Sequence, residues 1–163
     1  VERVLDELPD VLAGVGADGD RIRTRVTEWQ QDRSEMLVPD PTVRSLGPSL
    51  LLFGVDPPMV FGDDTYVDDL WSALGGVNAF EGPGYVECSL EDLLVVDPAC
   101  YVLIAATADA AKSQAAVLSR SLGGRSVVAD IIPVAGEDLL VPGTRILEGV
   151  RRLRSDLAGE DAP

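Results

Sequence analysis

The residues of this chain that could do chemistry are few, and most are acids. Asp63-Asp64 and Asp68-Asp69 place two acid pairs close together, and clustered carboxylates are the donors that hold Mg²⁺. The segment reads as a loop running into a helix, with nothing evident to orient the acids. Solvated acids are commoner than ligands, so no metal site is expected. Cys88 and Cys100 are the two thiols, and histidine is absent. Ser-His-Asp and Cys-His nucleophiles and His-containing zinc sites are therefore excluded within this sequence. Two cysteines make no disulfide framework. They are expected as small buried residues, and the redox compartment stays open. A different kind of site is suggested where the apolar run Leu51–Val55 breaks at Asp56-Pro57-Pro58-Met59. Proline fixes φ and cannot donate to a ladder, so the strand should stop there in a rigid loop at the carboxyl end of a sheet. That edge is where open α/β sheets bind ligands. A glycine-rich run, Gly75-Gly76 followed by Gly82-Pro83-Gly84, leads to Tyr85. Pro58, Met59, Tyr66 and Tyr85 are expected to line one crevice at that edge.

The elements that must position these residues can be read from periodicity. Continuous apolar runs predict strands at Leu50–Val55, Tyr101–Ala106 and Ser126–Ile132, with a shorter extended piece at Tyr85–Glu87. Between them, helical patterns span Thr65–Leu74, Leu90–Val95, Asp109–Leu122 and Thr144–Leu157. Ser89 with Asp92 has the form of a capping box, and Gly123-Gly124 is a helix stop. Apolar strands separated by helices predict a parallel sheet covered on both faces. The fold class is α/β, a three-layer sandwich with a mostly parallel, Rossmann-like sheet, preceded by a long helix.

That helix begins at Asp18 or Asp20 and runs to Met36, with Ile22, Val26, Trp29 and Met36 as its apolar stripe. Val1–Leu12 has helical spacing as well. Gly14-Val15-Gly16-Ala17-Asp18-Gly19 matches the dinucleotide fingerprint literally, but a helix precedes it where a strand is required. Leu37–Pro48, with three prolines, reads as an extended connector. The expected organisation is 1–37 for the two amino-terminal helices, 38–48 for the connector, 49–158 for the α/β lobe and 159–163 for a flexible tail.

Charge narrows the partners. The 163 residues carry a net charge of −15. No Lys or Arg occurs between Ser45 and Ala111, while eleven acids do. Nucleic acid and anionic membrane are poor partners for such a surface, and a basic protein or a cationic ligand fits it better. No apolar run approaches the ~18 residues of a membrane helix. The chain begins at Val1 with no signal peptide, which predicts a processed chain or part of a longer one.

Four motifs occur in order: Phe53-Gly54-Val55-Asp56-Pro57-Pro58-Met59, Gly75-Gly76-Val77-Asn78-Ala79-Phe80, Ser89-Leu90-Glu91-Asp92-Leu93-Leu94 with Asp97-Pro98, and Pro142-Gly143-Thr144-Arg145. Together they resemble the carboxyl-terminal lobe of the cobalamin and iron-siderophore substrate-binding proteins of ABC importers. Asp18–Met36 is similar to the rigid helix that joins the two lobes of that family. The resemblance implies an extracytoplasmic protein, periplasmic or membrane-anchored, that delivers cobalamin or a ferric siderophore to a permease and has no resident cofactor. It implies an amino-terminal lobe that this sequence does not contain. Met59 stands where the cobalamin-binding members use an aromatic residue, and a thioether can also lie against a flat ligand. Tyr85 matches a second aromatic of the site. Glu91 matches the carboxylate that docks onto permease arginines. The alternative is an interaction module of the same fold that has lost its ligand.

Overall fold

The structure, a computed structural model, describes residues 18–123, 129–141, 143 and 145–159. The chain divides into two compact units, Val1–Met36 and Leu37–Pro163. In the first, helix α1 (Gly19–Met36) is unbroken over 18 residues, a length of about 27 Å. Asp18 starts it, its carboxylate accepting from the Asp20 and Arg21 amides at 3.2 Å each. Ile22, Val26, Trp29 and Met36 are half-buried, while Arg21, Arg23, Arg25, Glu28 and Asp32 are exposed. The Arg33 guanidinium lies 6.0 Å from the centre of the Trp29 ring. The Val1–Leu12 helix and the glycine match at Gly14–Ala17 fall outside the described residues.

The second unit opens with a correction. The stretch read as an extended connector contains a short helix, α2 (Pro41–Ser45). Asp40 caps it, accepting from the Thr42 amide at 2.8 Å, and Pro41 occupies the first turn where its missing N–H costs nothing. Arg154 holds this segment from the other end of the unit. Its Nη2 donates to the Val38 carbonyl at 2.7 Å, and its Nε lies 3.2 Å from Asp40 Oδ2.

Then follow β1 (Pro48–Val55), β2 (Pro58–Phe61), α3 (Tyr66–Ala73), β3 (Val77–Asn78), β4 (Tyr85–Glu87), α4 (Leu90–Val96) and β5 (Cys100–Ala105). The chain continues through α5 (Ala108–Leu122), β6 (Asp130–Ala135), α6 (Glu137–Leu140) and α7 (Ile146–Ala158). The strand order is β4-β2-β1-β5-β6, with β3 also pairing β1. β1, β5 and β6 are parallel neighbours, with Leu50 opposite Tyr101 and Tyr101 opposite Ile131.

Two strands differ from expectation, both because of proline. Pro57-Pro58 does not end the pairing in a loop. The chain reverses and Pro58 begins β2, antiparallel to β1, with Val55 opposite Pro58 and Leu52 opposite Val60. A proline at the first residue of a strand removes no ladder bond that the pairing needs. The third parallel strand runs through Pro133 to Ala135 instead of stopping at Ile132. It is an edge strand, so outward positions need no donor. Ser126–Val128 lie outside the described residues. So does Thr144, and α7 starts at Ile146 without a side-chain cap.

Both faces of the sheet are covered. On one, Leu50, Leu52, Val60, Tyr101 and Leu103 pack with Leu93 of α4 and with Leu118 and Leu122 of α5. Strand alternation turns Leu51, Val102 and Ile104 to the other face, and these are also buried. Cys88 and Cys100 are free thiols and buried. The Cys100 Sγ donates to Ser49 Oγ at 3.3 Å, and burial pushes both thiols above their ordinary range.

Candidate functional site

The β1–β2 hairpin and β4 set the geometry of the candidate site. In the β2–β4 ladder Phe61 lies opposite Tyr85 and Met59 opposite Glu87. Directly paired residues point to the same side of a sheet, so these four share a face. Val60 and Val86 alternate with them and join the aliphatic core behind. Phe53 reaches the same side from β1, where the register with β2 shifts between Leu52 and Gly54. Three rings result. Phe53 and Phe61 are 4.5 Å apart between centroids, and Tyr85 stands edge-on at 5.8 Å from each. Phe61 is buried and Tyr85 is 54% exposed, so the cluster grades from core to solvent.

The loop that delivers Tyr85 is held by backbone contacts that demand glycine. The Gly62 amide donates to the Gly84 carbonyl, Asp63 to Gly82 and Gly84 back to Asp63, each at 2.7 Å. A Cβ on Gly62 would collide with the Gly82 carbonyl. Gly84 has φ +75, in the left-handed region. Asn78 ties three segments together. Its Nδ2 donates to the Phe61 carbonyl at 2.8 Å and to Asp68 Oδ1 at 2.9 Å, and its Oδ1 accepts from the Phe80 amide at 3.2 Å.

Tyr66 begins α3, which Thr65 caps by accepting from the Asp68 amide at 3.2 Å. The Tyr66 hydroxyl donates to the Leu139 carbonyl at 2.7 Å. This links α3 to α6, the segment just beyond the carboxyl end of β6. Burial, and secondarily the nearby Tyr85, push the Tyr66 phenol up to about 12. Asp138, beside Leu139, lies 3.0 Å from Arg145 Nε, and Glu148 lies 3.7 Å from the same atom.

The structure thus places Tyr66 and Tyr85 near each other, with Met59 half-buried on the Tyr85 face and opposite Gly54. Pro58 is buried at the start of β2, where it shapes the hairpin. Sequence reasoning missed Phe53 and Phe61 as members of the cluster. Reading Met59-Val60-Phe61 as a strand would have found Phe61, two positions from Met59. The acid pairs behave as local structure: Asp68 is held by Asn78, and Asp64 sits at φ 65 in the loop before α3. Among the described residues no group of three or more His, Cys, Asp or Glu could hold a metal ion.

Glu91 lies elsewhere, exposed in the first turn of α4. The capping box beside it is complete. Ser89 Oγ accepts from the Asp92 amide at 3.1 Å, and Asp92 Oδ2 accepts from the Ser89 amide at 2.8 Å. Those bonds from Ser89 hold the Asp92 carboxyl below its ordinary range. One turn on, Val95 is 84% exposed and shares the Glu91 face. No helix among the described residues is long and apolar enough to cross a membrane.

No family model matches the chain, and no curated protein matches it. Solved structures do match in fold. A possible iron-binding (periplasmic solute-binding) protein from Staphylococcus epidermidis ATCC 12228 aligns with a TM-score of 0.64 at 21% identity, covering 94% of this chain and 62% of that one. A periplasmic heme-binding protein from Pseudomonas aeruginosa aligns at 0.63 and 22% identity, covering 99% and 60%. The periplasmic vitamin B12 binding protein BtuF of Vibrio cholerae aligns at 0.61 and 19% identity, covering 98% and 63%. The fold is therefore one shared with periplasmic binding proteins of iron, heme and vitamin B12. The chain spans about three fifths of the length of these proteins.

Proposed function

We propose that this chain is the ligand-binding lobe of a substrate-binding protein of an ABC importer. It captures a metal chelate such as cobalamin, heme or a ferric siderophore, and hands it unchanged to a membrane permease outside the cytoplasm. The observation that carries this reading is the Phe53–Phe61–Tyr85 cluster, a ring surface that emerges from the core beside Met59 and Tyr66. An aromatic ring half in water and backed by two more suits a flat or bulky chelate. The shared fold supports it, because the structural neighbours bind ligands of this kind and are not enzymes. In this reading α1 is the helix that connects to a second, amino-terminal lobe, and Glu91 with Val95 forms the patch that meets the permease. No observation favours the interaction module without a ligand.

Calorimetric titration with cyanocobalamin, hemin and a ferric hydroxamate siderophore tests the proposal. The chain alone is expected to bind one of them with a Kd weaker than about 1 μM, because a one-sided site leaves the ligand partly hydrated. Tyr85→Ala should weaken that binding at least several-fold without unfolding the chain. Sub-micromolar affinity for the lobe alone would overturn the two-lobed arrangement. No binding of any of the three chelates would overturn the ligand-binding reading.

A further inference from the structure

We infer that the Tyr85 corner selects metal chelates that carry positive charge on their rim and disfavours those that carry carboxylates. This rests on the reading above that the corner binds a metal chelate, and it adds the ligand's charge class. The aromatic faces come first. Tyr85 is 54% exposed and braced edge-on by Phe53 and Phe61, and an exposed ring face attracts cations through its quadrupole. Charge on the flanks points the same way. Glu87 is exposed, two residues along β4 and on the Tyr85 side, directly opposite Met59. Asp63 is exposed at the other end, in the loop whose amides and carbonyls bind Gly82 and Gly84.

Neither of two cations that border this region, Arg145 and Lys112, reverses this sign. No Lys or Arg occurs from Ser45 to Ala111, the whole stretch that builds the corner. Arg145 approaches it through α6, but one guanidinium shared between Asp138 and Glu148 leaves a net negative group. Lys112 belongs to α5, whose Ala115, Leu118 and Leu122 pack on the opposite face of the sheet. A chelate with free carboxylates would need an arginine fork or an ammonium on this surface. It would meet Glu87 and Asp63 instead. An ammonium or a cationic metal centre meets ring faces and carboxylates.

The test uses related chelates that differ chiefly in the charge of one group. Ferrioxamine B carries a free ammonium, its N-acetyl derivative is capped, and its N-succinyl derivative carries a carboxylate. Aquacobalamin, cyanocobalamin and a cyanocobalamin monocarboxylate form a parallel series. Each is titrated into the whole chain at about 20 mM and about 500 mM NaCl, where the screening length falls from roughly 20 Å to about 4 Å. In the series that binds, the cationic member should bind about 3–10-fold tighter than the carboxylate at low salt and within about twofold at high salt. Glu87→Gln should shrink that preference, and Glu87→Lys should reverse it. Melting curves confirm that the variants are folded, and Glu87→Gln with the salt series suffices if the lysine variant is not. Equal affinities at low salt, tighter binding of the carboxylate form, or a preference indifferent to Glu87 would overturn the inference while leaving the chelate reading intact. Failure of both series to bind would overturn the inference, and failure of hemin as well would overturn the chelate reading.

Discussion

The two faces of the sheet end in different ways. On one, Leu50, Leu52, Tyr101 and Leu103 meet Leu93, Leu118 and Leu122, and all are closed to solvent. On the other, next to the hairpin, the residues are Phe61, Phe53 and Tyr85, and burial fades in that order until the last ring is half in water. Aliphatic side chains on parallel strands close a core because their stabilisation comes from removing area from water. An aromatic ring can do this with one edge and still offer the other, since its faces and its polar tip retain something to bind. The difference separates the part of the molecule that makes the fold from the part that makes a surface.

Mutations should follow that division. Leu103→Ala, in the central strand of the closed face, should cost about 2–5 kcal/mol of stability in chemical denaturation. Chelate binding by the remaining folded protein should be unchanged. A loss of affinity with little loss of stability would break the comparison. Gly62→Ala acts at the boundary between the two parts. Its Cβ would press on the Gly82 carbonyl, so a loss of about 1–3 kcal/mol is expected. Because that loop carries Tyr85, binding should weaken as well, which calorimetry would show.

Tyr66→Phe probes the link between α3 and α6. Removing the hydroxyl that donates to Leu139 should cost about 0.5–1.5 kcal/mol near neutral pH. The alkaline limb gives a second readout. The folded-state phenol is raised from 10.0 to about 12, so between those values the unfolded chain releases its proton first. Stability is therefore full below about pH 10 and declines as pH rises toward 12. Tyr101, raised in the same direction by burial, contributes a decline of the same sign in both proteins. The melting temperature of Tyr66→Phe should fall less steeply over this window than that of the parent. Identical slopes would show that the Tyr66 environment is not the cause.

The smallest effect on stability is expected at Glu91. It is exposed, and the Ser89–Asp92 box already fixes the start of α4. Glu91→Ala should shift the melting temperature by no more than about 3 °C. It should nonetheless weaken association with a permease whose docking surface carries arginine, and Glu91→Lys should weaken it more through like-charge contact. A large drop in melting temperature with docking intact would make Glu91 a structural residue.

Much of the fold could be read because its signals are local. A helix cap involves residues three apart, so Asp18 with Arg21 and Ser89 with Asp92 declared themselves in the chain. Strands buried on both faces must be apolar throughout, so Leu50–Val55 and Tyr101–Ala106 were legible as runs, the second forming one residue earlier as Cys100–Ala105. The Asp40-Pro41 cap was equally local, but three nearby prolines hid it. What could not be read were decisions made between distant segments. Whether a strand carrying Pro133 is tolerated depends on its place at the sheet edge, which exists only once β5 has paired with β6. Whether Pro58 ends a strand or starts one depends on Leu52, Gly54 and Val55 offering partners.

The candidate site divides along the same line. Met59, Tyr66 and Tyr85 could be named from their types and from the glycines and prolines around them. Their relation to one another came from the sheet. The pairing of Phe61 with Tyr85 and the register shift beside Phe53 place three rings together. The reach of Tyr66 to Leu139 crosses 73 residues of sequence. Sequence by itself determined the longer helices, the apolar interior strands and how the acids are distributed, because those depend on near neighbours and on composition. Tertiary structure alone decided which side chains share a face, because register and strand order are set by burying the whole apolar surface at once.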